Sequence, residues 1–206
     1  VPNLLTGLPE AEAEVKLSGM KEALRLKREE RPRPGKDDKI LCSWNALMIA
    51  ALAMGARVMK APTYLEAARA AARFILTRLR RPDGRLLARY RDGEARYEAY
   101  IDDYAYLIWA LLELYQADYD PRDLKTALEL TRDMVKYFWD EESAGFFLYG
   151  SDGEKLIHRP KEIYDGALPS GNSVAALNLL RLARLTGDAG LEEKAVQLMS
   201  HFAGQA

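Results

Sequence analysis

Asp102-Asp103-Tyr104-Ala105-Tyr106-Leu107-Ile108-Trp109-Ala110-Leu111-Leu112-Glu113-Leu114-Tyr115-Gln116 is the stretch that decides the fold. After its two opening aspartates it is apolar on nearly every side, and a helix apolar all round is a buried one. The chain turns at Asp120, and Pro121 to Trp139 then reads as an amphipathic helix opened by proline in its first turn. A buried helix followed by an amphipathic one is therefore the unit. It recurs upstream, with Ser43 to about Lys60 followed by Pro62 to about Leu79. It recurs downstream, with Ser170 to about Thr186 followed by about Ala189 to Ala203.

The prolines at 62 and 121 set the first two units 59 residues apart, and aligning Leu65–Ala68 with Glu192–Ala195 sets the third 127 from the first. In this register Ser43-Trp44-Asn45, Asp102-Asp103-Tyr104 and Ser170-Gly171-Asn172 share one slot, a triplet opening each buried helix. Short hairpins separate the units. Arg85–Tyr90 and Ala95–Tyr97 flank Asp92-Gly93, while Gly145–Tyr149 and Lys155–His158 flank Asp152-Gly153, and Asp-Gly is a strong hairpin signal. A further helix over about 9–31 ends where Pro32 and Pro34 remove a donor and crowd the preceding turn.

Alternation at roughly 60 residues predicts an all-α fold, a partial (α/α) toroid of inner and outer helices with β-hairpins between pairs. Tetratricopeptide and HEAT arrays repeat at about 34 to 47 residues and carry no such insertions. The expected organisation is one domain over 1–206, with repeats at about 36–80, 98–140 and 164–204. The starts of the inner helices then line a common mouth.

Composition narrows the function classes. Of 206 residues, 49% are hydrophobic and 30% charged, which supports a folded core. A net charge of −1 argues against binding nucleic acid or a membrane surface through bulk charge. The longest unbroken apolar run, Ala46 to Ala56, is too short to cross a bilayer. The single cysteine, Cys42, cannot form an internal disulfide and says nothing against a reducing cytoplasm, the expected location. One cysteine and the distant His158 and His201 cannot build an ordinary zinc site, and no glycine-rich phosphate loop is present. No metal and no cofactor are expected. A chain opening at Val1 is expected to be a piece of a longer one.

Three motifs then carry a resemblance. Lys36-Asp37-Asp38-Lys39-Ile40-Leu41-Cys42-Ser43-Trp44-Asn45, Ile101-Asp102-Asp103-Tyr104-Ala105 and Tyr164-Asp165-Gly166-Ala167-Leu168-Pro169-Ser170-Gly171-Asn172-Ser173 resemble the thioredoxin-domain-containing family of spermatogenesis-associated protein 20 and bacterial YyaL-like proteins. Arg89–Gly93 and Phe138–Asp140 fit as well, so the resemblance covers nearly the whole chain. It implies an N-terminal thioredoxin-like domain followed by a toroid similar to six-hairpin glycosidases and N-acylglucosamine 2-epimerases. This chain lacks the thioredoxin-like domain and holds about three helix pairs of six. Its partners would be a sugar-like ligand and the thioredoxin-like domain of the parent chain. The cut edges, Leu177, Leu180 and Leu182 or Leu47, Met48 and Ala51, should be partly uncovered and drive self-association into a two-fold pair.

Glycoside chemistry uses two carboxyl groups flanking the scissile bond. The carboxylates brought to the mouth by three repeats are Asp103, Asp165 and Asp38. Asp102 shares its slot with Ser43 and Ser170, all good helix caps, and is assigned to capping; Asp103 is left with no capping duty. Trp44, Tyr104 and Tyr164 offer rings on which sugar C–H faces stack, and Asn45 and Asn172 offer neutral partners for hydroxyls. Each has a plainer alternative: solvated loop aspartates, core aromatics, and asparagines tying loops together. Two functions follow, a sugar-binding or sugar-processing toroid of glycosidase or epimerase type and a non-catalytic scaffold. Carboxyl oxygens of two repeats about 5 to 10 Å apart across an open pocket favour the first. Aspartates turned to backbone amides favour the second.

Overall fold

The computed structural model describes residues 7, 9–154 and 157–203. The chain forms two compact units, residues 1–38 and 39–206, where the repeat spacing predicts one domain. The first holds α1 (Glu10–Glu29), which has Glu10 and Glu12 in its first turn and Lys27 and Arg28 in its last, each complementing the helix dipole.

The second unit is built from β1 (Ile40–Leu41), α2 (Cys42–Met59), α3 (Pro62–Arg78), β2 (Leu87–Arg91), β3 (Glu94–Glu98), α4 (Ile101–Asp118), α5 (Pro121–Phe138), α6 (Gly171–Thr186) and α7 (Ala189–Ala203). The inner helices α2, α4 and α6 each pack against the outer helix that follows, and α4 sits between α2 and α6. The expected alternation is thus present as three inner–outer pairs. Each inner helix ends in a left-handed residue, Lys60, Tyr119 or Gly187, two positions before its outer helix opens. These three ends stand 59 and 127 residues apart, the repeat spacings themselves.

The starts depart from that register. The N-cap residues are Leu41, Tyr100 and Ser170, so α6 begins two residues late, and of the three triplets only Ser170 stands at an N-cap position, accepting from the Ser173 amide at 3.1 Å. The first hairpin forms as expected. Asp92 and Gly93 both take positive φ, 53° and 81°, the geometry that a two-residue primed turn demands. Residues 40–41 extend it to a three-stranded antiparallel sheet in the order β1-β2-β3. The second hairpin does not form a ladder among the described residues. Phe146 makes an isolated bridge to Trp139, and Leu148 bonds Pro160. Residues 155 and 156, in the expected return strand, lie outside the described residues.

Burial differs sharply between the inner helices. In α4, Tyr104–Ile108 and Ala110–Leu114 are all buried. In α2 only Cys42, Ala46, Ile49, Ala50 and Ala53 are, although the spacing predicts a helix buried all round. Helix α2 is also the one helix, among the described residues, long and apolar enough to cross a membrane by length and composition. The run Ala46–Ala56 understates it, because the helix continues through Arg57 to Met59. That arginine is paired to Glu113 of α4 at 2.6 Å.

Candidate functional site

The N-terminal ends of the three inner helices meet, and two adjacent aspartates hold them together. Asp103, third residue of α4, accepts from the Tyr100 amide at 2.9 Å and closes the first turn of its own helix as a capping box. Its other oxygen accepts from the Ser43 amide at 2.8 Å, in the first turn of α2. Asp102 lies instead against Gly171, at the opening of α6. A Cβ at position 171 would strike the Asp102 carboxyl and Ile101, so only glycine permits this approach. The capping duty therefore belongs to Asp103 and not to Asp102, because the helix opens two residues earlier than the triplet register places it.

Beside this junction lies a cleft of about 320 Å³, lined by Leu41, Ser43, Ala88, Tyr100, Asp102, Asp103, Leu148 and Tyr149. A second chamber of about 350 Å³ adjoins it and shares Tyr100 and Tyr149, with Arg85, Glu98 and Glu154 in its wall. The two tyrosines meet edge to face, ring centroids 5.4 Å apart, on the wall common to both chambers. Asn172 positions the segment carrying Tyr149: its side chain accepts from the Phe146 amide at 2.8 Å and donates to the carbonyls of Phe146 and Glu162. The Ile101 amide bonds the Leu148 carbonyl, fixing the same segment to the start of α4.

Of the expected site residues, only Asp103 lines this cleft. Asp165 lies outside it and accepts from the Ser170 amide at 2.8 Å, a bond that holds its carboxyl below the usual carboxylate range. Asp38 is exposed and belongs to the first compact unit. Trp44 and Tyr164 are exposed at 63% and 77% and line neither chamber. Asn45 donates to the Leu41 carbonyl one turn back. Tyr104 is fully buried, its hydroxyl accepting from Arg85 and from the Leu86 amide, so its ring belongs to the core. Tyr100, Tyr149 and Asp102 take the places expected of the others. The available signal was their adjacency to motifs: Tyr100 precedes the aspartate pair and Tyr149 sits in a hairpin-like segment. Cys42 is buried, which pushes its thiol well above the usual range and keeps it a small apolar filler. No group of three metal-binding side chains occurs among the described residues.

Burial dominates the electrostatics of the pair. It pushes the Asp103 carboxyl up to about 7, against the pull of the Tyr100 and Ser43 amides, and it raises Asp102 in the same direction. A carboxyl raised in the native state binds its proton more tightly folded than unfolded. Its contribution to stability is full below the ordinary value of 3.8 and is lost as pH rises through about 7. Stability should therefore fall between about pH 4 and 7, by at most about 1.4 kcal/mol per pH unit for one proton, and level off above. Asp140 and Asp165 are both held low and titrate beneath this window. Urea midpoints across that range measure the slope, and a flat or rising profile would contradict the assignment.

No family model matches the chain. Spermatogenesis-associated protein 20 of Homo sapiens is 34% identical over 185 residues, 85% of this chain and 24% of the human protein. The chain thus spans about a quarter of the length of that relative. Cellobiose 2-epimerase from Bacillus thermoamylovorans superposes with a TM-score of 0.68 at 17% identity, over 82% of this chain and 46% of the epimerase. An inactive variant of an α-1,6-mannanase from Salegentibacter sp., with two consecutive aspartates replaced by alanine and bound to α-1,6-mannotetrose, superposes with a TM-score of 0.60 at 16% identity. That match covers 96% of this chain and 55% of the mannanase. By sequence the chain is a homologue of a stretch of spermatogenesis-associated protein 20, and by fold it matches about half of an α/α toroid.

Proposed function

We propose that this part of the toroid binds a neutral sugar in the cleft at the inner-helix N-termini, with Tyr100 and Tyr149 as its aromatic wall and Asp102 as its acid–base group. The observation that carries this reading is the aspartate pair beside an open cleft. Asp103 gives both oxygens to backbone amides and positions the mouth, while Asp102 lines the cleft, only partly buried, with a carboxyl raised by desolvation. A raised carboxyl is suited to donate or take a proton near neutral pH. The mannanase variant, inactive with two consecutive aspartates replaced, supports the importance of such a pair. Glu98 and Glu154 in the adjoining chamber add negative charge, while Arg85 is neutralised by Asp152, so an anionic sugar would be repelled.

The scaffold reading rests on a specific observation too: Asp103 and Asp165 both accept backbone amides. In it, the mouth is structural and the toroid carries the thioredoxin-like domain of the parent chain. A calorimetric screen of neutral sugars, uronic acids and sugar phosphates against the full-length parent separates the two. A neutral sugar should bind, and Asp102→Asn should weaken it at least tenfold while leaving the melting temperature nearly unchanged. Equal binding by that variant, or no bound sugar at all, supports the scaffold.

A further inference from the structure

Met48 of α2 and Leu177 of α6 are exposed at the two ends of the array, as expected, whereas Leu182, expected there too, is fully buried. Tyr97 is 59% exposed at a different place, where it lines the second chamber. Its backbone is held at a φ of 66°. Lys60 and Tyr119 take such angles at helix ends and Asp92 in the hairpin turn, but Tyr97 lies within β3. The ladder that pairs Leu87 with Glu98 and Arg89 with Arg96 skips Ala88 and Tyr97 between them. A bulky side chain in the left-handed region is strained, and such strain persists only where the surrounding structure maintains it. The Arg89 guanidinium lies over the Tyr97 ring, 5.0 Å from its centroid, and holds it in place.

We infer that the second chamber receives the sugar unit next to the one in the cleft, so that the ligand is a neutral oligosaccharide of two or more units laid across the Tyr100–Tyr149 wall. This rests on the reading of the cleft as a sugar site. At about 320 and 350 Å³, each chamber lies near the lower end of the roughly 300–1,000 Å³ found for small-molecule pockets. Two such chambers in series suit consecutive units of a chain better than one compact ligand. The wall they share is aromatic, and Tyr97 adds a further ring in the second chamber, so each unit has a surface on which its C–H face can stack. Glu98 and Glu154 supply acceptors for hydroxyls there, while Arg85 already donates to both oxygens of Asp152 and leaves little positive charge for an acid group. The hairpin is thereby part of the site: β2 brings Ala88 to the cleft, and β3 brings Tyr97 and Glu98 to the chamber.

Calorimetry on the full-length parent tests this, with glucose, galactose and mannose each offered free and as α- and β-linked chains of two to four units. For the sugar that binds, the second unit should raise affinity about tenfold and later units less. Tyr97→Gly should erase that gain while the melting temperature holds, because glycine takes a φ of 66° without strain. A monosaccharide bound as tightly as its chains would overturn the inference and leave the cleft reading standing. So would a gain that survives Tyr97→Gly, which puts the second unit elsewhere. No binding at any length would overturn both.

Discussion

Asp103→Ala should destabilise the larger unit by about 3 kcal/mol, with a fall of about 10 °C in its melting temperature. The reason is local. Removing the carboxyl leaves the amides of Ser43 and Tyr100 without their acceptor at a junction that is 3% exposed at Asp103, and each buried donor left unpaired costs about 1–3 kcal/mol. It also separates the first turns of α2 and α4. The loss should be larger at pH 5.5, where the wild-type group holds its proton, than at pH 8. Asp102→Asn, losing less, should stay within about 1 kcal/mol of wild type. Urea melts of both variants decide this, and the reverse ranking would restore capping to Asp102.

A comparable or larger loss is expected at Arg85, a guanidinium only 2% exposed behind the second chamber. It donates to both oxygens of Asp152, to the Tyr104 hydroxyl and to the Ala99 carbonyl, and its plane lies near the rings of Tyr104, Tyr137 and Phe138. Replacing it by methionine keeps much of the volume but leaves the Ala99 carbonyl and the Tyr104 hydroxyl without this donor, while Asp152, 31% exposed, can turn to water. Each buried polar group left unpaired costs about 1–3 kcal/mol. Denaturant unfolding of Arg85→Met should show a loss of that size with an unchanged slope. A change under about 1 kcal/mol would mean that the surrounding rings alone hold this wall.

The repeat was legible where geometry is strict. An inner helix must turn back within two residues to reach its outer partner, so the ends at Lys60, Tyr119 and Gly187 keep the 59- and 127-residue spacing. Helix starts are free of that constraint. The mouth segments before α2, α4 and α6 differ in length and path, and a register two residues off at α6 exchanges the roles of Asp102 and Asp103. Tyr104 and Asn172 carry the residue types of a sugar site, yet one fills the core and the other ties down a loop. Tyr149 enters the cleft only through long-range bonds, Ile101 to Leu148 and Phe146 to Asn172, that leave no trace in local sequence. A two-residue strand such as β1 is equally invisible, since it exists only because the hairpin lies beside it.

The central claim is that the chain holds a sugar between Tyr100, Tyr149 and Asp102. The most direct test is amide chemical-shift mapping while the neutral sugar selected by the binding screen is titrated into the isotope-labelled chain. Shifts should concentrate at Leu41, Ser43, Tyr100, Asp102, Leu148 and Tyr149, and should vanish in Tyr149→Ala at the same sugar concentration. Shifts gathered instead around Trp44 or Tyr164, or a spectrum unchanged at saturating sugar, would contradict it.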